Sequence, residues 1–186
     1  WNEVPLPGDE KTMGHYLSEA GYRAALCGKT HYTPDPLTNP EAQPEQGIHR
    51  TALAGLESWE FNDGRGDGWL QYLREKGYAE EKCNNPFAVN IPEGADKDHT
   101  AYPIHIRKED SDTAFMTDRA IAFMAEAGDM PWFLHLSYFK PHLPIVAPYP
   151  YNEMYDPADS PLPNRIREEL ENPHPFHIPY RIERKS

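Results

Sequence analysis

Trp132-Phe133-Leu134-His135-Leu136-Ser137-Tyr138-Phe139-Lys140-Pro141-His142-Leu143-Pro144 is the stretch from which the fold is read. Aromatic and aliphatic side chains run up to an abrupt Lys-Pro-His-x-Pro turn, and Met130-Pro131 precedes them. Bounded by proline on both sides, the run is too short for an isolated helix. It reads as a strand over 132–139 buried on both faces, as strands of a parallel sheet are. In open α/β sheets ligands bind beyond the carboxyl ends of the strands. Here that end delivers Lys140 and His142.

Upstream, Ser111 to Ala127 predicts a helix. Ser111 can cap it, Asp110 and Asp112 place negative charge at its N-terminus, and Gly128 stops it. Ala114, Met116, Ala120, Ile121, Phe123, Met124 and Ala127 form a broad apolar stripe on it. An earlier step has the same order. A helix capped by Asp9 or Thr12 carries Met13, Tyr16, Leu17 and Ala20 on one face, and Gly21 closes it. A short apolar strand over Tyr22–Cys27 then ends at Gly28-Lys29-Thr30-His31. Two helix–glycine–strand steps predict an α/β fold, with a mainly parallel or mixed central sheet flanked by helices. Trp69, Leu70, Tyr72 and Leu73 mark a further short helix closed by Gly77. The segments 51–61 and 78–109 carry no assignable pattern, and Asn62 to Gly68 is a turn-rich loop. Prolines at 34, 36, 40 and 44, and again from 144 to 163, make long Pro-rich loops. No internal repeat or domain boundary is visible, so residues 1–186 read as one segment.

Composition narrows the function. The chain has 186 residues and 20 prolines, with 11 Tyr, 7 Phe and 4 Trp to pin its loops onto a core. Its formal net charge of −12 argues against nonspecific binding to nucleic acid or anionic membranes. No stretch approaches a membrane span, and none reads as a signal peptide. The chain begins at Trp1, which leaves cytoplasm and periplasm both open. Cys27 and Cys83 sit in no zinc-type spacing, leaving at most a single bridge.

Two clusters can carry chemistry. Gly28-Lys29-Thr30 ends like a phosphate-binding P-loop, but that motif needs a glycine at position 23, which is Arg23, and Pro34 and Pro36 lie where its helix should begin. A lone lysine or histidine after a strand is ordinarily a solvated loop residue. Two strand ends, each with a Lys-x-His pattern, are harder to dismiss. Lys29-x-His31 and Lys140-x-His142 concentrate cationic and hydrogen-bonding groups at one sheet rim, suited to a sulfate, phosphate or phosphonate.

Gly21–His31 and Phe133–Pro144 resemble the corresponding strand-and-loop segments of sulfatases in the alkaline phosphatase superfamily. Thr117-Asp118-Arg119-Ala120-Ile121 and the tail from Ala147 to Pro157 are similar to the family's flanking segments. Thr30, where many sulfatases have tryptophan, leans toward the phosphonate monoester hydrolase branch. The resemblance implies that Lys29 bridges the substrate anion and a metal-bound nucleophile, and that His31 contacts the nucleophile's oxygen. His142 would donate to the substrate or leaving-group oxygen, with Thr30 and Lys140 lining the pocket. Lys140 would be the more structural of these, its stem supporting the loop while its head stays wet. His135, inside the strand, reads as a hydrogen-bonded core histidine. The family also implies a divalent metal (calcium or manganese) and a formylglycine nucleophile. The Cys-x-Pro-Ser-Arg motif that yields the nucleophile is not in this chain, and Asp63, Asp67, Asp110 and Asp112 do not match the family's ligand positions. The chain therefore reads as an interior segment of a sulfatase-like catalytic domain, lacking the N-terminal nucleophile and metal motif and the C-terminal metal motif. Its partners would be an anionic ester and the remainder of the domain, with a homo-oligomer left open. Whether it is an enzyme by itself stays open; binding without turnover is the expectation. Alternatives are a noncatalytic small-anion- or partner-binding α/β module, or a histidine metal site at His174-x-x-His177.

Overall fold

The computed structural model describes residues 10–30, 54–95 and 101–162, together with 172, 174 and 175. The chain divides into two compact units, Trp1–Met154 and Tyr155–Ser186. The described part of the second is a short 3-10 turn, Pro157–Asp159, with the Asp156 carboxylate accepting from the Ala158 N–H at 2.8 Å. The His174-x-x-His177 pair lies partly outside the described residues.

The first unit carries a three-stranded parallel sheet in the order β2-β1-β3. Strand β1 (Arg23–Gly28) is central, pairing with β2 (Glu57–Glu60) through Ala25↔Glu57 and with β3 (Trp132–Ser137) from Arg23↔Trp132 to Gly28↔Ser137. Both predicted strands are therefore present and directly paired. The burial is the reverse of what the aromatic run suggested. Ala24, Ala25, Leu26 and Cys27 are buried, whereas β3 has exposed or half-buried residues throughout. Small residues in β1 let helices close over it, while β3 is the edge of the described sheet and its large side chains cover only what lies on one side. His135 is exposed accordingly, not a core histidine.

The sheet has an apolar cluster on each face. Ala24, Leu26 and Leu56 form one, joined by Leu17 and Phe133. Cys27, Trp69, Leu73, Cys83, Phe87, Ile104, Ile106, Phe115 and Met116 form the other, with Leu134 and Leu136 packed on it. Alternation along β1 sends Leu26 one way and Cys27 the other. Both cysteines are free, so the open question of a bridge is settled. Burial pushes the Cys27 thiol up to about 12, which makes it a core residue rather than a nucleophile.

Helix α1 (Met13–Glu19) starts at Thr12, whose hydroxyl accepts from the Gly14 N–H at 3.2 Å while the His15 ring accepts the Thr12 N–H at 3.1 Å, a reciprocal cap. It packs through Gly14 and half-buried Leu17; Met13 and Tyr16, expected inward, are exposed. Helix α2 (Asp67–Glu75) buries Trp69 and Leu73, and α3 (Glu80–Asn84) buries Cys83. Helix α4 (Asp112–Ala127) is capped by the Ser111 hydroxyl, accepting from Ala114 N–H at 3.2 Å. Its buried stripe is Asp112, Phe115, Met116, Ala120, Phe123 and Ala127. Ile121 and Met124, counted into the stripe from the sequence, are largely exposed.

The unassigned segment 78–109 is organised by one carboxylate. Asp110 is 2% exposed and accepts from Tyr72 at 2.9 Å, Tyr78 at 2.8 Å and Arg107 at 2.8 Å. The indole N–H of Trp69 donates to its carbonyl at 2.9 Å. Three distant stretches meet there, which no local periodicity could announce.

Candidate functional site

All three strands of the parallel sheet run toward one edge, and each ends in a loop that carries polar groups. After β1 come Lys29 and Thr30, both half-buried. The junction is tight: a Cβ on Gly28 would lie 1.9 Å from the Ser137 carbonyl oxygen, and its φ is +122°. Only glycine lets β1 run this close to the end of β3. The Lys29 N–H then donates to the same Ser137 carbonyl at 3.3 Å, fixing where its side chain departs.

After β3 the chain turns back on itself. The Lys140–Pro141 peptide is cis, and the His142 N–H donates to the Phe139 carbonyl at 3.0 Å. Phe139 becomes a shared platform. The Lys29 ammonium sits 5.3 Å from its ring centroid, and the His142 ring lies 4.9 Å away on a tilted stack. Two of the predicted site residues, Lys29 and His142, thus each lie against the Phe139 ring. His31 lies outside the described residues.

His142 is exposed, and its Nδ1 is 2.8 Å from the Leu143 carbonyl oxygen. A carbonyl only accepts, so Nδ1 carries the hydrogen and Nε2 is the nitrogen left to meet a ligand. Nε2 accepts when the ring is neutral and donates only as the imidazolium.

Lys140 is committed elsewhere. Its ammonium sits 4.3 Å from the Phe87 ring centroid and 5.6 Å from that of Phe139, and it donates to the Pro144 carbonyl. Burial lowers its pKa, partly countered by the charge of Asp112. Burial in turn raises the Asp112 carboxyl, offset in part by backbone donors and by Lys140. Lys140 is half-buried, with its ammonium held against these rings.

The loop after β2 was passed over in the sequence. Asn62 is buried, its side-chain Oδ1 accepting from the Gly64 N–H at 2.8 Å and the Gly66 N–H at 3.1 Å. A Cβ on Gly64 would come within 2.8 Å of the Phe139 ring, so this loop is pressed against the platform. An Asn-x-Gly-x-Gly pattern after a strand was the available signal; without the strand β2 it had no place.

Among the described residues no three His, Cys, Asp or Glu side chains come together to hold a metal ion. Asp110 is consumed by tyrosines and Arg107, and Asp112 is buried beside Lys140. These residues do not fit the metal site that the resemblance implies.

A family model described as sulfatase matches residues 2–172. The chain belongs to the sulfatase family. It is 34% identical over 174 residues to the multifunctional alkaline phosphatase superfamily protein PehA of Trinickia caryophylli, covering 92% of this chain and 33% of that protein. Among solved structures it is similar to phosphonate monoester hydrolase SpPMH from Silicibacter pomeroyi, with a TM-score of 0.79, 35% identity, and coverage of 95% of this chain and 35% of that one. The phosphonate monoester hydrolase of Agrobacterium radiobacter gives a TM-score of 0.78 and 29% identity, over 94% and 34%. The chain spans about a third of the length of these sulfatase-family relatives. Its small parallel sheet with flanking helices is the alkaline phosphatase-like architecture expected from the sequence.

Proposed function

We propose that this chain is a segment of a sulfatase-family hydrolase cleaving sulfate, phosphate or phosphonate esters, and that it holds the substrate anion. One observation carries the reading: Lys29 and His142, from adjacent parallel strands, stand on the same Phe139 ring in a chain of net charge −12. Cations brought together against the sign of the whole molecule make a local site for an anion rather than a general electrostatic surface.

In this reading Lys29 neutralises charge on the ester's anionic oxygens, and His142, as imidazolium, donates from Nε2 to a substrate or leaving-group oxygen. Thr30 follows Lys29 at the end of β1 and lines the cradle, and this reading assigns His31, next in sequence, to it as well. Lys140 holds the turn that carries His142, through the Phe87 and Phe139 rings and the Pro144 carbonyl. Residues 1–186 then form one segment of a catalytic domain. A divalent metal, calcium or manganese, and a formylglycine nucleophile are to be supplied by residues outside those described here; when bound, such a metal stabilises negative charge on the reacting oxygens.

The test is calorimetric titration of the 186-residue chain with sulfate and with methylphosphonate. Lys29→Ala and His142→Ala are each expected to weaken binding by about tenfold, the size of one charge-assisted hydrogen bond. Affinity unchanged in both variants contradicts the reading.

A further inference from the structure

Beside the Phe139 platform a cleft of about 760 Å³ opens, within the range of small-molecule sites. Phe87, Val89, Ile91, Leu143 and Val146 give it an apolar lining, and Arg65 stands in it. Phe87 and Phe139, which both line the cleft, stack at 5.7 Å with their planes 22° apart. Phe139 is therefore shared between the cationic pair and the cleft, so a molecule anchored on one abuts the other.

Arg65 differs from its counterparts. Arg23, Arg74, Arg107 and Arg119 are each ion-paired to a carboxylate. The Arg65 guanidinium makes no such pair among the described residues, although the chain is rich in acid. Its neighbour Asp63 also lines the cleft, but there Oδ1 accepts the Arg65 backbone N–H at 3.2 Å and the guanidinium is left over. The loop that carries Arg65 is not slack. Buried Asn62 ties it through two backbone donors, and Gly64 is seated against the Phe139 ring. An exposed, uncommitted guanidinium on a braced loop, over an apolar cleft, is built to meet a negative group at the end of an apolar one.

We propose that this cleft takes the organic group of the ester whose anion Lys29 and His142 hold, and that Arg65 selects apolar or aromatic groups bearing a second negative charge. The inference rests on the anion-holding role of Lys29 and His142, and it adds the chemical class of what is attached to that anion.

The 186-residue chain is titrated with methylphosphonate, phenylphosphonate, 4-carboxyphenylphosphonate and benzoate, each followed by calorimetry and by amide chemical shifts. The phenyl compound is expected to bind several-fold tighter than the methyl one, and the carboxyphenyl compound about tenfold tighter again. Arg65→Gln should erase the carboxylate advantage and leave methylphosphonate unchanged; Ile91→Trp, which fills the cleft from an exposed position, should erase the phenyl advantage. Equal affinity for the three phosphonates, or a carboxylate advantage that survives in Arg65→Gln, overturns the cleft assignment and leaves the anion reading standing. Phosphonate binding indifferent to Lys29→Ala and His142→Ala overturns the anion reading instead. In that event benzoate decides the cleft: binding lost in Arg65→Gln but kept in Lys29→Ala supports it, and no benzoate binding removes it.

Discussion

Asp110 shows how much a single buried charge can organise. Burial alone raises its carboxyl, but hydrogen bonds from Tyr78, Arg107 and Tyr72, with the Arg107 charge, outweigh that and hold it below the usual carboxylate range. A depressed folded-state pKa means that the unfolded chain takes up the proton first. The contribution to stability is therefore fully present above the unfolded value, about 3.9, and is lost as pH falls through the lower folded one. Asp110→Asn should cost about 1–3 kcal/mol at neutral pH, since the amide's N–H₂ faces donors it cannot serve. The loss should shrink below pH ~4, where Asp110 of the unfolded wild-type chain begins to take up its proton. Urea melts at neutral and acidic pH measure both; a variant equally destabilised at every pH means that the charge is not what matters.

At the scale of elements, β1 is the part of the sheet that cannot be altered. Leu26 is 1% exposed in its centre, and Leu26→Ala should cost about 2–5 kcal/mol. Leu134, half-buried on the edge strand β3, should cost about 1–2 kcal/mol, because part of its surface is already in contact with water. Chemical denaturation ranks the two directly, and a larger loss for Leu134→Ala would contradict the edge placement of β3. Gly28→Ala tests the junction. Its methyl meets the Ser137 carbonyl in a backbone conformation that alanine resists, so the cost should reach about 3 kcal/mol or more. The β1–β3 pairing should loosen at its carboxyl end, where Lys29 and Phe139 are positioned. Loss of sulfate binding in a variant that still folds is the expected signature; undisturbed amide shifts at Phe139 would show that the junction is not what places them.

For the whole molecule, the cationic pair works inside a strongly acidic chain. Sulfate binding should therefore depend on short-range contact and should not fall between ~0.01 and 0.15 M salt, because the Debye length of about 8 Å at 0.15 M exceeds the contact distance while the long-range repulsion of the acidic chain is screened. The sequence holds no Cys-x-Pro-Ser-Arg motif to supply the nucleophile, so the 186-residue chain is expected to bind aryl sulfates and aryl phosphonates without releasing the aryl alcohol. Metal-dependent release abolished by His142→Ala would show a complete site in this segment.

What the sequence determined by itself was the rhythm of helix, glycine and strand, because caps, chain reversal and apolar periodicity are local. Thr12, Ser111, Gly21, Gly77 and Gly128 each stand where their helices begin or end. Lys29 and His142 were also legible, as polar residues at two strand ends, together with the family they resemble. Tertiary structure decided which strand is central, since burial depends on what packs over a strand and not on how apolar its side chains are. It also decided the fate of the charges. Asp110, Lys140 and Arg65 look alike as charged residues along the chain. One became a buried hub, one a prop against aromatic rings, and one a guanidinium over a cleft with no ion-pair partner among the described residues, because their surroundings come from distant stretches. A charge acquires its role from the groups that folding brings within a few ångströms, and those separations are written in no local pattern.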